Sequence, residues 1–136
     1  MKALVFPLGD EHYAFPLASV SQVLSSPRVT RLPVADQSVL GLVNVRGEIV
    51  PLFDLAGRED VGARRACAFA ILVTTSQGPA ALAVDVMPVS IEIDEALAST
   101  GDAGAPRVYP LDDRLVTLLE AEVLLATGRS GVPRAS

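Results

Sequence analysis

The sequence predicts a mainly β protein, built as a sandwich or a barrel of short strands. Apolar runs rich in Val and Ile recur along the 136 residues, with turn signals every ~8–12 residues. The connections suit hairpins, and little of the chain has helical periodicity. A polar, Gly-rich stretch at residues 57–66 divides the predicted strands into two sets. We expect both sets to share one domain of residues 1–128, followed by a flexible tail at 129–136.

The chain begins with a predicted hairpin. Residues Lys2 to Leu8 are apolar with strand character, Gly9-Asp10-Glu11 forms a turn, and His12 to Leu17 returns as the second strand. His12 is the only histidine of the chain, and no Cys lies near it in sequence. We therefore interpret it as a surface residue beside the turn rather than as a ligand or a catalytic group.

The next segment has the pattern of a short helical turn. Ser19 stands where it would cap the turn, and Gln22 three residues later would complete a capping box. Val20, Val23 and Leu24 would then lie on one side. A short strand at 29–32 is predicted to follow.

The most informative stretch is 39–55, in which two apolar runs surround the connector at 44–48. Gly47 supplies the permissive backbone of a tight reversal, so the runs predict a hairpin with Arg46 and Glu48 at its tip. An Arg on a rigid turn beside apolar surface suits recognition by a partner, because its planar head pairs bidentately and its stem packs. From spacing alone, an Arg that is merely solvated remains the alternative.

The second half of the chain continues with strands. An apolar strand at 68–75, a turn at 76–79 and a returning strand at 80–85 predict another hairpin. The segment 86–93 then alternates, with Val89, Ile91 and Ile93 predicted to face inward as part of a half-buried strand.

The last elements are predicted at 107–126. A short strand at 107–110, a turn at 111–114 and a strand at 115–119 lead into a short closing helix at 120–126, which Gly128 would end. The segment 95–106 is small, polar and Gly-rich, and is predicted to be a loop.

Composition excludes several kinds of site. The net charge is −5, and the only basic pair is Arg64-Arg65, which argues against a nucleic-acid surface. Cys67 is the only cysteine, so no intramolecular disulfide or multi-Cys metal site is expected. No cofactor is expected either.

The sequence also shows no pattern typical of a membrane-spanning helix or a signal peptide. No window approaches the ~18 uninterrupted apolar residues of a spanning helix. The apolar start is too short for a signal peptide and is interrupted at Pro7. We expect a cytoplasmic protein with no direct insertion into the membrane.

Catalytic motifs are absent from the sequence, so we do not expect an enzyme. There is no G-x-S-x-G elbow, phosphate loop, H-E-x-x-H or C-x-x-C motif. The adjacent acidic pairs Glu59-Asp60 and Asp112-Asp113 lie in predicted turns, where solvated charges are the usual case. Asp54 and Asp85 follow apolar strands, where they are expected to bond backbone amides.

Two segments resemble the signatures of CheW-like domains, the coupling proteins of bacterial chemosensory arrays. Residues 41–55 stand as Gly-Leu-Val-Asn-Val-Arg-Gly-Glu-Ile-Val-Pro-Leu-Phe-Asp-Leu, which is similar to the family's main signature over its whole length. Residues 82–86, Leu-Ala-Val-Asp-Val, resemble the second and weaker signature. Ala81 stands where many members have Gly.

The resemblance implies a fold and a function. The fold would be two intertwined five-stranded SH3-like β-barrels with a short C-terminal helix. The function would be that of a non-catalytic scaffold in chemotaxis or motility signal transduction. Its partners would be the tip of a methyl-accepting chemoreceptor and the regulatory domain of a CheA-type histidine kinase. The segment 95–113 is short for the family, a departure that leaves open whether one partner surface is removed.

The resemblance also implies contact residues. Arg46 is the strongest candidate for partner binding, with Asn44 and Gly47 shaping its turn; Val20, Gln22 and Val86 are weaker candidates for apolar contacts. A different class of function remains open, in which a small-ligand-binding or hydrolytic β-barrel protein would use the groove between the barrels as a pocket.

Overall fold

Two β-sheets are formed by the residues that the computed structural model describes, which are 1–30, 39–54, 67–94 and 107–122. A 3₁₀ helix at Leu17–Ser19 lies between the second and third strands. The strands are β1 Lys2–Leu8, β2 Glu11–Pro16, β3 Val20–Ser25, β4 Val29–Thr30, β5 Val39–Val45, β6 Glu48–Phe53, β7 Phe69–Thr75, β8 Gly78–Val84, β9 Val89–Glu92, β10 Val108–Leu111 and β11 Arg114–Leu118.

The chain passes from one sheet to the other and back. The first sheet has the strand order β10-β11-β2-β1-β9, and the second has the order β3-β7-β8-β6-β5-β4. Most neighbours are antiparallel, but β11 runs parallel to β2 and β6 runs parallel to β8. The first sheet therefore combines the earliest and latest strands of the described chain.

The core explains why so many strands are continuously apolar. One cluster lies between the sheets, and its largest side chains include Phe6 and Phe15 from the first sheet and Ile71 and Leu82 from the second. Each sheet also buries residues of its other face in a cluster of its own. Because β1, β2, β7 and β8 contribute to a cluster on each face, they need apolar residues at successive positions rather than at alternate ones.

The predicted fold class is confirmed, with differences in detail. The protein is mainly β, and the hairpins β1–β2, β5–β6, β7–β8 and β10–β11 have the predicted places. The second sheet has six strands rather than five, because the two-residue β4 is added beside β5.

The predicted helical turn with a Ser19 cap is wrong. Ser19 is the last residue of the 3₁₀ helix, no side chain caps that helix, and Val20 to Ser25 forms β3. The local capping pattern is overridden because β3 pairs with β7, from Val20 opposite Val73 to Ser25 opposite Phe69.

Strands from both sides of residues 57–66 meet in the second sheet. The second sheet contains β3 to β6 from before residues 57–66 and β7 to β8 from after them, so that segment does not separate the sheets. Hairpin signals are local, whereas the assignment of strands to sheets depends on pairing between distant segments.

Some predicted features lie outside the described residues. These are the polar stretch at 57–66, the loop at 95–106, the tail at 129–136 and the end of the strand at 29–32. Of the predicted helix at 120–126, only residues 120–122 are described, and residues 121 and 122 form a turn. No helix in the described ranges is both long enough and apolar enough to cross a membrane.

Candidate interaction site

The β5–β6 hairpin turns through two residues, Arg46 and Gly47, with Val45 and Glu48 as the closing pair. Both turn residues have positive φ, at 54° for Arg46 and 88° for Gly47. This is the combination required by a type I′ turn, whose twist matches that of the flanking strands. Gly47 adopts this conformation readily, whereas Arg46 adopts it against the usual preference of residues with a Cβ.

Asn44 shapes the turn from the end of β5. Its Oδ1 accepts a hydrogen bond from the backbone N–H of Gly47 over 2.8 Å. Asn and Asp side chains commonly support a turn in this way. The contact fixes the position of the turn with a local bond, so the orientation of the Arg46 backbone does not depend on a distant part of the protein.

The tip of the hairpin combines an exposed cation with an exposed apolar side chain. Arg46 is exposed, and no hydrogen bond or ion pair of its guanidinium group is found within the described residues. Ile49, opposite Asn44 in the register, is 57% exposed. The neighbouring pair of Val43 and Val50 is buried in the core of the second sheet. The hairpin is thus anchored by one face and presents the other to solvent.

Val20 and Gln22 lie on β3, one of the two edge strands of the second sheet. Both are half-buried, and the pairing with β7 is irregular between them. Val20 pairs with Val73 near the end of the sheet where the β5–β6 tip lies, since β6 is parallel to β8 and β8 is antiparallel to β7. Three strand spacings, or about 14 Å, separate β3 from β6.

Val86 lies near the opposite end of the second sheet from Arg46. It follows Val84, the last residue of β8, by two positions, and its side chain is 53% exposed. Because β6 and β8 run parallel from the level of the Arg46 turn, the length of β8 separates the two residues by about 20 Å. The structure therefore does not bring the six predicted contact residues into a single patch.

Four exposed apolar residues of the described chain were not identified from the sequence as candidate contacts. These are Ile49, Met87, Val89 and Leu115, each more than half exposed. Val89 was expected to face inward, and this is wrong: its alternation with Ile91 and Ile93 predicts burial, but β9 is an edge strand and only Ile93 is buried. For Met87 and Val89, the only signal in the sequence was the apolar pair Val86 and Met87 soon after the end of β8.

The titratable side chains of the described residues form no metal site. No group of three or more His, Cys, Asp or Glu side chains able to hold a metal ion is found among them. His12 lies on β2, and its Nε2 accepts a hydrogen bond from Arg114 Nη1 over 2.7 Å. Partial burial, and then the charge of Arg114, lower the pKa of His12 from its ordinary value of 6.5. This contact joins β2 and β11 of the first sheet, whereas the hairpin tip belongs to the second sheet.

Comparison with known proteins gives one family and several relatives. The model of the family described as "CheW-like domain" matches residues 2–129. A probable chemotaxis protein CheW from Rhizobium etli is 27% identical over 140 residues, covering 93% of this chain and 88% of that protein. The protein PilI of Pseudomonas aeruginosa is 40% identical over 52 residues, which are 38% of this chain and 29% of PilI.

A solved structure is similar along most of the chain. The scaffolding protein TtCheW from Thermoanaerobacter tengcongensis has a TM-score of 0.76 and 26% identity, with 90% of this chain and 86% of that chain covered. The likeness extends over both sheets, whereas the match to PilI spans less than a third of that relative's length.

Proposed function

The chain belongs to the CheW-like domain family, and from this membership we propose that it is a non-catalytic scaffold of a chemosensory system. It would couple the cytoplasmic tip of a methyl-accepting chemoreceptor to the regulatory domain of a CheA-type histidine kinase. Its place would be the cytoplasm, beside membrane receptors that it reaches through its partners. The naming of one relative as a chemotaxis protein and of another as a scaffolding protein supports this proposal.

The observation that carries the proposal is the β5–β6 tip. An exposed guanidinium group is held on a two-residue turn, and a 57% exposed Ile49 lies beside it on a strand whose other face is anchored in the core. Arg beside a well-placed apolar residue is a common composition of an interface hot spot, because the stem packs while the head pairs with carboxylates. We propose that Arg46 is a partner contact and that Asn44 and Gly47 orient it.

Val20, Gln22 and Val86 are proposed as further contacts, but not of the same surface. The separation of Val86 from Arg46, about 20 Å along the second sheet, supports a division between partners, with the hairpin tip and the Val86 end serving different proteins. A scaffold that joins two proteins needs two such surfaces, whereas a ligand pocket needs converging side chains.

The experiment is a binding measurement with purified proteins. The wild-type chain and Arg46→Ala are titrated separately with a CheA-type kinase regulatory domain and with a receptor-tip fragment, and Val86→Ala is measured alongside. Arg46→Ala is expected to weaken one of the two complexes by roughly 1–3 kcal/mol, as hot-spot Arg truncations do. Equal binding of wild type and Arg46→Ala in both titrations would remove Arg46 from the interface.

A control variant separates recognition from folding. Arg107 is an exposed Arg that directly precedes β10 of the first sheet, and Arg107→Ala removes the same charge from a place outside the hairpin tip. It should leave both affinities close to wild type. If neither protein binds the wild-type chain but a small molecule does, the scaffold proposal fails and the groove-pocket alternative takes its place.

A further inference from the structure

One of the four sheet edges formed by the described strands lacks any obvious protection. The edges are β9 and β10 in the first sheet and β3 and β4 in the second. Pro110 interrupts β10, an irregularity interrupts β3, and β4 is only two residues long. By contrast, β9 at Val89–Glu92 has no proline, bulge or lysine. Natural proteins use such devices to prevent unwanted strand pairing, so an edge without them is available for pairing.

The backbone groups that β9 offers can be identified from its pairing with β1. The N–H of Ile93 donates to the carbonyl of Met1 over 2.8 Å. Along an antiparallel ladder, hydrogen-bonded pairs alternate with pairs that are not hydrogen-bonded. Ile91 and Val89 therefore also direct their backbone groups toward β1. The N–H and C=O groups of Ser90 and Glu92 therefore point away from the sheet, toward solvent.

Apolar surface adjoins this edge. Val86 is 53% exposed, and Met87 and Val89 are each 56% exposed. Three large apolar side chains within four positions, continuous with an unprotected edge, form the kind of patch that marks an interaction surface.

We propose that β9 pairs with β9 of a second copy of this chain, so that two first sheets join across a twofold axis. In an antiparallel pair of identical strands, residues that face each other must lie on the same side of the sheet. The register that centres on Ser90 meets this condition. It places Val89 opposite Ile91 of the second copy, twice, and Ser90 opposite itself.

The same register satisfies the outward backbone groups. Ser90 exchanges two hydrogen bonds with its symmetry mate, and the N–H of Glu92 donates to the carbonyl of Pro88 in the second copy. The missing N–H of Pro88 removes only one bond from each end of the ladder.

Charges favour a second copy as the occupant. Glu92, the acidic residue of β9, is already paired with the amino group of Met1 at 2.5 Å, and it lies opposite Lys2 of β1 in the register. In the proposed pairing it faces Pro88 rather than another carboxylate. Like charges directly opposite each other destabilise a sheet. The proposed pairing of β9 with its own copy places no such charges opposite each other.

The test uses the purified full chain alone, so its result is independent of the partners proposed above. Sedimentation velocity is measured over a concentration series up to about 1 mM chain, the weak end of specific association. Wild type is expected to show a reversible monomer–dimer equilibrium. Val89→Lys places a cation on the edge strand and should raise the dimer dissociation constant by about tenfold or more.

A matched control is Leu115→Lys. Leu115 is also 56% exposed, but it lies on β11 inside the sheet, between β10 and β2. This variant should dimerise as wild type does. A wild-type chain that stays monomeric throughout the series, or an equal loss of dimer in both lysine variants, would overturn the proposal.

A second measurement tests the register. Opposed residues of a hydrogen-bonded antiparallel pair have Cα atoms about 5.5 Å apart, a distance that a disulfide spans. In a Cys67→Ala background, Ser90→Cys should form a disulfide-linked dimer on mild oxidation. Ser25→Cys, on the irregular edge strand β3, should not. Equal cross-linking of the two variants would contradict pairing through β9.

Discussion

The Oδ1 atom of Asn44 accepts the backbone N–H of Gly47 over 2.8 Å, and Arg46 lies between the two residues with φ of 54°. A non-glycine residue in this region is less stable than a glycine would be, by about 1–2 kcal/mol. The hairpin therefore keeps an Arg where the backbone alone would favour Gly. Such positions are frequent at sites that bind other molecules.

Arg46→Gly should increase the free energy of unfolding by about 1 kcal/mol, because glycine relieves the unfavourable φ. The gain is reduced in part by the greater freedom of glycine in the unfolded chain. Urea denaturation followed by circular dichroism measures the change. Arg46→Ala is the control, since it removes the same side chain and keeps the Cβ. If the two variants unfold at the same urea concentration, the positive φ of residue 46 does not account for any gain in stability.

Tyr109→Phe should leave stability unchanged or raise it by about 1 kcal/mol. Tyr109 is fully buried, and its hydroxyl has no hydrogen-bond partner in the described structure. On folding, a buried hydroxyl without a partner loses its hydrogen bonds to water and gains none in return. Removing it therefore should not lower the stability of the protein.

The matched substitution is Tyr13→Phe. The hydroxyl of Tyr13 donates to a carboxylate oxygen of Glu11 over 2.6 Å, so its removal should lower stability by about 1 kcal/mol. Both variants are compared with wild type by urea denaturation. A larger loss from Tyr109→Phe than from Tyr13→Phe would show that the Tyr109 hydroxyl has a partner in solution.

His12 should make stability fall as the pH is lowered below neutrality. Burial, followed by the charge of Arg114, lowers the pKa of His12 below 6.5 in the folded protein. The unfolded chain then binds more protons, so stability is fully present above about pH 6.5 and is lost as pH falls toward the folded pKa. Below that pKa, His12 adds no further change.

The measurement is urea denaturation of wild type and His12→Gln across this pH range, with the His12 pKa followed by NMR. The variant should lose less stability than wild type between pH 7.5 and the folded pKa. An NMR pKa at or above 6.5 would be inconsistent with the contact between His12 and Arg114 at 2.7 Å.

Glu122→Gln should loosen the segment that follows β11. The two carboxylate oxygens of Glu122 accept the backbone N–H and the hydroxyl of Ser76, at 2.7 Å and 2.8 Å. These bonds link the end of the first sheet to the β7–β8 turn of the second. Because both residues are exposed, the loss of stability should be only about 0.5 kcal/mol.

Amide hydrogen exchange reports this effect more directly than global stability. The N–H of Leu119, which donates to the carbonyl of Ala14 over 2.7 Å, should exchange faster in Glu122→Gln than in wild type. Glu120→Gln is the control, since Glu120 is exposed and lies two residues earlier in the same segment. Equal protection of Leu119 in all three proteins would show that the contact to Ser76 does not hold the segment.

The sequence allowed the local part of the architecture to be predicted. The β5–β6 hairpin follows from two apolar runs around Gly47, and the β7–β8 hairpin follows from the turn signals around Gly78. By contrast, the positive φ of Arg46 was not evident, because Asn or Gly rather than Arg is the usual residue at that position. Val20 to Ser25 resembled a capped helical turn until its pairing with β7 was known.

The arrangement of the candidate site could not be predicted in the same way. Arg46 and Val86 belong to signatures that are both similar to one family, which gave no reason to separate them. Their positions at opposite ends of a sheet follow from the parallel pairing of β6 with β8, a contact between distant segments. The exposure of Val89 likewise depends on β9 having a neighbour on one side only.

The return of the chain to its first sheet has a consequence for synthesis on the ribosome. The β1–β2 hairpin emerges early, yet β9 and β11, its neighbours, are made only after the whole second sheet. During that interval Ala3, Val5 and Ala14 lack the final cover of Ile93, Val116 and Leu118, as in other folds with many long-range contacts. Nascent chains of this protein should therefore be clients of ribosome-associated chaperones until β11 has been released.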